Sequence, residues 1–252
     1  MIELQTFASV ILGLIVGSFL SMLIPRLHDG KKGIVVGRSE CPHCHHTLGA
    51  LDLIPLLSYC FLRGHCRHCK APISAWYPLT ELATALLFGA LFLHEGNWLN
   101  FLWLAPLFAV LLFIFFYDLR YKEIHDGVML PGIVWALLAS WQIGDLKMSL
   151  IGAAIAVIFF GTQYLLSKGK WIGSGDIRIG AFIGIILGWQ GTLIGLFLSY
   201  ILGSVIGIAM LATGKATAKT AVPLGPFLVL GTLLTFFWGD PLLQFYLSLN
   251  SL

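Results

Sequence analysis

Eight apolar stretches, at roughly residues 6–25, 77–93, 100–117, 127–142, 149–166, 177–189, 191–212 and 223–239, leave this 252-residue chain few ways to fold. Apolar windows near 20 residues are what a helix needs to cross a hydrocarbon core about 30 Å thick. Inside such a core every backbone N–H and C=O must be paired within the protein, so only helices and closed barrels can span it. A barrel would show alternating segments of roughly 10 residues, and this sequence has none. Only 11% of the residues are charged, against about 25% in a soluble domain. The expected class is an all-α polytopic membrane protein with about eight transmembrane helices.

The basic residues orient these helices. If the stretches alternate in direction, the loops 26–76, 118–126, 167–178 and 213–222 share one side and carry 14 of the 15 Lys and Arg residues. The other side holds only Lys147. A missed or invented span would reverse every later loop, so the partition supports the count, and the positive-inside rule puts the basic side in the cytoplasm. Both termini are then expected outside. Glu3 precedes the first stretch, whereas Arg26, Lys31 and Lys32 follow it. A signal peptide has the opposite asymmetry, which favours a retained first helix. The expected organisation is a first transmembrane helix over 1–25, a cytoplasmic loop over 26–76 and a seven-helix membrane region over 77–252. The lipid bilayer is one partner. No basic run is long enough to suggest nucleic acid as another.

The 26–76 loop contains CPHC at 41–44 and CRHC at 66–69, two C-x-x-C knuckles separated by 21 residues. Four thiolates at this spacing can surround one tetrahedral zinc, which makes Cys41, Cys44, Cys66 and Cys69 candidate ligands. Two disulfides are the competing arrangement, but structural disulfides are rare in a reducing cytoplasm. A shell filled by thiolates has no open position, so the expected metal is structural. His43, His45, His46, His65 and His68 are expected to be exposed loop residues. Cys60, in LLSYCFL, is expected to be a buried small hydrophobe. With Ile54, Leu56, Leu57 and Phe61 as its apolar groups, the loop has a marginal core, and zinc would supply much of its folding free energy.

Two aspartates stand at the ends of apolar stretches: Asp118 closes the third and Asp176 opens the sixth. An ionisable group at membrane depth costs up to about 3 kcal/mol at a helix centre and marks a functional site by default. Opposite helix directions bring both to the same depth on the cytoplasmic side. Two neighbouring carboxylates can share one proton, so that one activates water while the other polarises a carbonyl. The bland alternative pairs each aspartate with Arg120 or Arg178 as an interfacial ion pair. Gly173 and Gly175 precede Asp176 and are expected to adopt backbone conformations barred to other residues and to let a peptide main chain approach. The GSGD run is a poor dinucleotide fingerprint, because Gly180 is misplaced and no strand precedes it. Asp126, in EIHD, is a third candidate, with capping of the fourth helix as its expected role. Gly180, Gly184, Gly188, Gly191, Gly195, Gly203 and Gly207 favour close helix packing in lipid.

Taken jointly, GSFLSMLIPRL at 17–27, CPHCHHTLGALDLIPLLSY at 41–59, LRGHCRHCKAPISAWYPLTELATALLF at 62–88, YDLRYKEIHD at 117–126, GSGDIRIG at 173–180 and VPLGPFLVLG at 222–231 resemble the bacterial type IV prepilin peptidases, bifunctional membrane aspartyl proteases of the GxGD class. The resemblance implies cleavage after glycine, on the cytoplasmic side of the inner membrane, of the basic leaders of type IV prepilins and type II secretion pseudopilins. It further implies N-methylation of the new terminus from S-adenosylmethionine. By the same resemblance Asp118 and Asp176 are catalytic, Cys41, Cys44, Cys66 and Cys69 form the tetra-Cys site, and Glu81 is associated with methylation. Ser21 stands where the family commonly has Asn, Ile124-His125-Asp126 where it has IPD, and Leu224 within its PFGP. Two alternatives remain: a leader peptidase without methyltransferase activity, and a zinc-binding membrane transporter or sensor.

Overall fold

The computed structural model describes residues 2–30, 37–214 and 222–249. Its helices are α1 (Ile2–His28), α2 (Leu57–Phe61), α3 (Trp76–Glu95), α4 (Trp98–Tyr121), α5 (Asp126–Ile143), α6 (Leu146–Ser167), α7 (Ser174–Ala212) and α8 (Gly225–Leu249), with a 3-10 turn at Ala50–Leu53. Among the described residues six helices are long and apolar enough to cross a membrane, and α8 contributes a shorter apolar run, Gly225–Gly239. The protein is thus an all-α polytopic membrane protein with a cysteine-bearing loop between its first two long helices.

One of the six holds two of the expected spans. A straight helix of 39 residues would be about 58 Å long, nearly twice a hydrocarbon core. Gly188, at φ 65° and ψ −178°, interrupts it. Such a backbone is open to glycine and to almost nothing else. On one side of the break Gly184 packs on Gly152 of α6, and Gly180 packs on Ala156 and Phe160. On the other, Tyr200 reaches the Gln163 side chain with its hydroxyl at 3.1 Å. Both arms of α7, residues 174–187 and 189–212, therefore run away from Gly188 toward the same end of α6. The sixth and seventh spans are a helical hairpin turning on one glycine. The expected glycine packing holds at Gly180, Gly184, Gly195 and Gly203, each of which meets a facing helix, but not at Gly188, which is the break, nor at Gly207, which has no neighbour within 4 Å among the described residues.

The chain divides into two compact units, Met1–Phe116 and Tyr117–Leu252, with the boundary inside α4. In the first unit α1 and α3 are antiparallel. A Cβ on Gly13 would lie 2.7 Å from the Ala85 Cα, and one on Gly17 would lie 2.7 Å from the Glu81 Cα, so bare glycine lets the backbones meet as lipid-embedded helices do. In the second unit α8 runs antiparallel to the second arm of α7, with Gly231 beside Gly195 and Phe227 beside Gly203.

Among the described residues of the loop between α1 and α3, most of the expected apolar groups do not form a core. Ile54, Leu57 and Phe61 are exposed, Phe61 at 83%, and Cys60 is exposed rather than buried. The helix carrying Leu57, Cys60 and Phe61 has only 5 residues, too few to present a face to anything.

Candidate active site and metal centre

The two cysteine knuckles are the same local structure built twice, 25 residues apart. The Cys41 amide donates to His46 O and the Cys66 amide to Ala71 O, while His45 N–H returns to Cys41 O and Lys70 N–H to Cys66 O. Bridges at Glu40–Thr47 and His65–Pro72 close the two loops, and His45 and Lys70 turn the chain at φ 55° and 58°. The result gathers the Sγ atoms of Cys41, Cys44, Cys66 and Cys69 within 4.8 Å of one another, with Cys41 and Cys69 at 3.8 Å. A tetrahedral ion with bonds of about 2.3 Å spaces its sulfurs about 3.8 Å apart, so this cluster can hold a metal ion. Amide N–H groups of Cys69 and His68 push the Cys66 thiol down to about 7, while burial and the neighbouring thiols push that of Cys69 up to about 11. The five histidines are exposed, as expected.

Glu81 anchors the same loop to the helices. Its Oε2 accepts the Leu56 amide at 2.8 Å, and the carboxylate also meets the Ser18 hydroxyl of α1. Leu56 sits at φ 60° and ψ −48° while Leu57 N–H donates to Pro55 O at 2.6 Å, a γ-turn of the strained, positive-φ kind. A leucine adopts it only where its surroundings impose it, and the buried Glu81 carboxylate supplies that constraint. On the loop's other side Asp52 accepts Arg67 Nε at 2.7 Å, and this guanidinium holds the Asp52 carboxyl below the usual carboxylate range.

In the second unit the fold brings Asp118 and Asp176 within electrostatic reach of each other. Asp118, on the last turn of α4, is 7% exposed. Its Oδ2 accepts the backbone N–H of Gly225, at the start of α8, at 2.9 Å. Asp176, in the first turn of α7, accepts the Gly173 N–H with its own Oδ2 at 2.9 Å. Each carboxylate thus gives one oxygen to an anchoring amide, and among the described residues its other oxygen makes no hydrogen bond. Of the nearby basic residues, Arg178 pairs with Asp126, the Arg120 guanidinium lies 5.2 Å from the centre of the Tyr121 ring, and Lys122 lies within electrostatic reach of Asp118.

Three residues differ from expectation. Asp126 does not cap α5: the N-cap is His125, with no side-chain cap bond, because the Asp126 carboxylate turns to Arg178 instead. Gly173, at φ −79° and ψ 156°, has a backbone open to any residue. Gly175 is glycine because Ile124 occupies the place of a side chain there. The sequence reading also missed Gly225, whose role rests on a contact between residues 107 apart, and Tyr200. The phenol of Tyr200 bonds Gln163 and interacts electrostatically with Asp176, which adds a polar pair at the level of the aspartates.

Residues 11–95 match the bacterial peptidase A24 N-terminal domain, and residues 105–208 match the type IV leader peptidase family. A protein of Aeromonas hydrophila called prepilin leader peptidase/N-methyltransferase is 34% identical over 93% of this chain and 91% of its own length. Proteins of the same name from Burkholderia pseudomallei (strain K96243) and Bacillus subtilis (strain 168) are 34% and 32% identical, covering 98% and 95% of this chain and 89% and 96% of their own lengths. No solved structure matches.

Proposed function

The chain belongs to the type IV leader peptidase family, and on that premise we propose that it is a membrane enzyme that cuts prepilin or pseudopilin leaders after glycine with the Asp118–Asp176 pair and methylates the new N-terminus. The observation that carries this reading is the matched anchoring of two carboxylates from different helices, each held by one amide and, among the described residues, with its other oxygen unbonded. In the reaction the ionised carboxylate takes a proton from water and the hydroxyl attacks the scissile carbonyl carbon. The protonated partner donates to the carbonyl oxygen. Collapse of the tetrahedral species breaks the C–N bond, and the leaving amine takes up a proton from the pair. The two roles belong to the pair rather than to one named residue. Methyl transfer then moves CH3 from the sulfonium of S-adenosylmethionine, a co-substrate, to the freed amine with loss of a proton.

The positions of the basic residues support an inner-membrane protein whose aspartates face the cytoplasm and whose termini lie outside. A prepilin is one apolar helix with a basic leader, so its scissile bond arrives at that depth. The knuckle domain, residues 26–76, holds a structural zinc on Cys41, Cys44, Cys66 and Cys69, and zinc supplies the folding free energy that its exposed apolar residues cannot. Metal analysis of the purified protein should find about one zinc per chain. Cys41→Ser with Cys44→Ser should lose it and expose the loop to protease; a metal-free, protease-resistant wild type contradicts the assignment.

Incubating purified protein with a prepilin and labelled S-adenosylmethionine tests the whole reading. A shortened, labelled pilin is expected. A shortened but unlabelled pilin leaves a peptidase alone, and an intact pilin beside metal flux leaves a transporter. In the same assay Glu81→Ala should lower methylation about tenfold or more, with cleavage affected less, because the Leu56 turn loses its acceptor in the unit that lacks the aspartates. Equal loss of both activities would reject a separate role for Glu81.

A further inference from the structure

The connection from α4 to α5 does more than join two helices. Lys122, at φ 56°, turns the chain directly after Asp118, its N–H returning to Asp118 O at 2.8 Å. The next residues fold against the start of α7. A Cβ placed on Gly175 would meet the Ile124 side chain, with Cβ and Cγ1 both at 3.1 Å and Cδ1 closer still. Three residues further along α7, Arg178 is paired with Asp126. His125, between the two, sets its ring 6.0 Å from that of Tyr117, the neighbour of Asp118. One short turn therefore carries Asp118 at its root and meets α7 on both sides of Asp176, at the Gly175 backbone and at the Arg178 side chain.

We propose that Ile124 is a positioning residue for the peptidase reaction, seated in the Gly175 notch so that the 122–126 turn sets the spacing between Asp118 and Asp176. The inference rests on the aspartate-pair reading above. The Ile124–Gly175 contact is the seat, because the Asp126–Arg178 pair is exposed on both sides and an exposed ion pair contributes little. Glycine at 175 is then a steric requirement of the second unit itself. A methyl group there must push Ile124 out or push Asp176 away, and a displacement near 1 Å at a reacting group costs about 100-fold in rate.

The test is prepilin cleavage by full-length protein in detergent, with kcat and KM measured separately for Gly175→Ala, Ile124→Ala, the double variant and Asp176→Asn. Gly175→Ala is expected to lose about 100-fold in kcat with KM little changed. Ile124→Ala is expected to lose roughly tenfold in kcat, again with KM little changed. The double variant should recover to the level of Ile124→Ala alone, since the shortened side chain makes room for the added methyl. A double variant no more active than Gly175→Ala overturns the proposal. If Gly175→Ala does not fold, Ile124→Ala decides alone, and wild-type kcat or a loss confined to KM overturns it. Cleavage by Asp176→Asn would instead sink the aspartate pair. An inactive Asp176→Asn beside an unrescued double variant removes only the seat.

Discussion

Asp118→Asn and Asp176→Asn should each reduce prepilin cleavage by a factor of about 100 to 10,000, the range that a positioned acid–base group contributes. Both proteins should still purify as folded helical species. Asparagine keeps the shape of aspartate and a carbonyl oxygen, so the Gly225 and Gly173 amides retain an acceptor. What disappears is the group that can take a proton from water or hand one to the carbonyl. The proposed pair acts as one unit, so the double variant should be little worse than either single one. Initial cleavage rates and a helix-content measurement check this, and residual activity above a tenth of wild type in either variant would count against the pair.

Gly225→Ala should be nearly as damaging, although residue 225 has no side chain to do chemistry with. A Cβ there would lie 2.6 Å from the Asp118 Oδ2 and 3.1 Å from its Cγ. The atom it meets first is the oxygen that the Gly225 amide holds. The methyl group must therefore break that hydrogen bond or shift the carboxylate. Cleavage is expected to fall about 100-fold through kcat, with methylation of a pre-cleaved pilin much less affected. Cleavage and methylation rates measured on one preparation would show this, and unchanged cleavage would mean that the start of α8 does not orient Asp118.

The helices were legible because a membrane span is a local property: twenty apolar residues must form a helix whatever lies beside them. The hairpin at Gly188 was half legible, since its two arms read as two spans but its turn has no polar loop to mark it. The four-cysteine cluster was legible from cysteine spacing alone, because each knuckle is a closed local turn. Its exposed surroundings were not. LLSYCFL looks like core in sequence, yet Cys60 and Phe61 face outward because the helix they form is one turn long.

The aspartates could be found because a carboxylate at the end of an apolar run is expensive and so informative. Their supports could not. Gly225, Ile124 and Tyr200 act through contacts between residues 107, 51 and 24 apart in the sequence, and each belongs to a residue type that carries no such signal by itself. Asp126 shows the opposite error. An aspartate before a helix suggests a cap, but the carboxylate faces an arginine from a helix that local pattern cannot place.

The most direct measurement is the position of the two free carboxylate oxygens in a complex of this protein with a non-cleavable prepilin-derived peptide. A single water within about 3 Å of both, lying over the carbonyl carbon of the glycine before the scissile bond, is the expected arrangement. Carboxylates too far apart for one water to bridge, or either one turned toward lipid with the peptide held elsewhere, would contradict it.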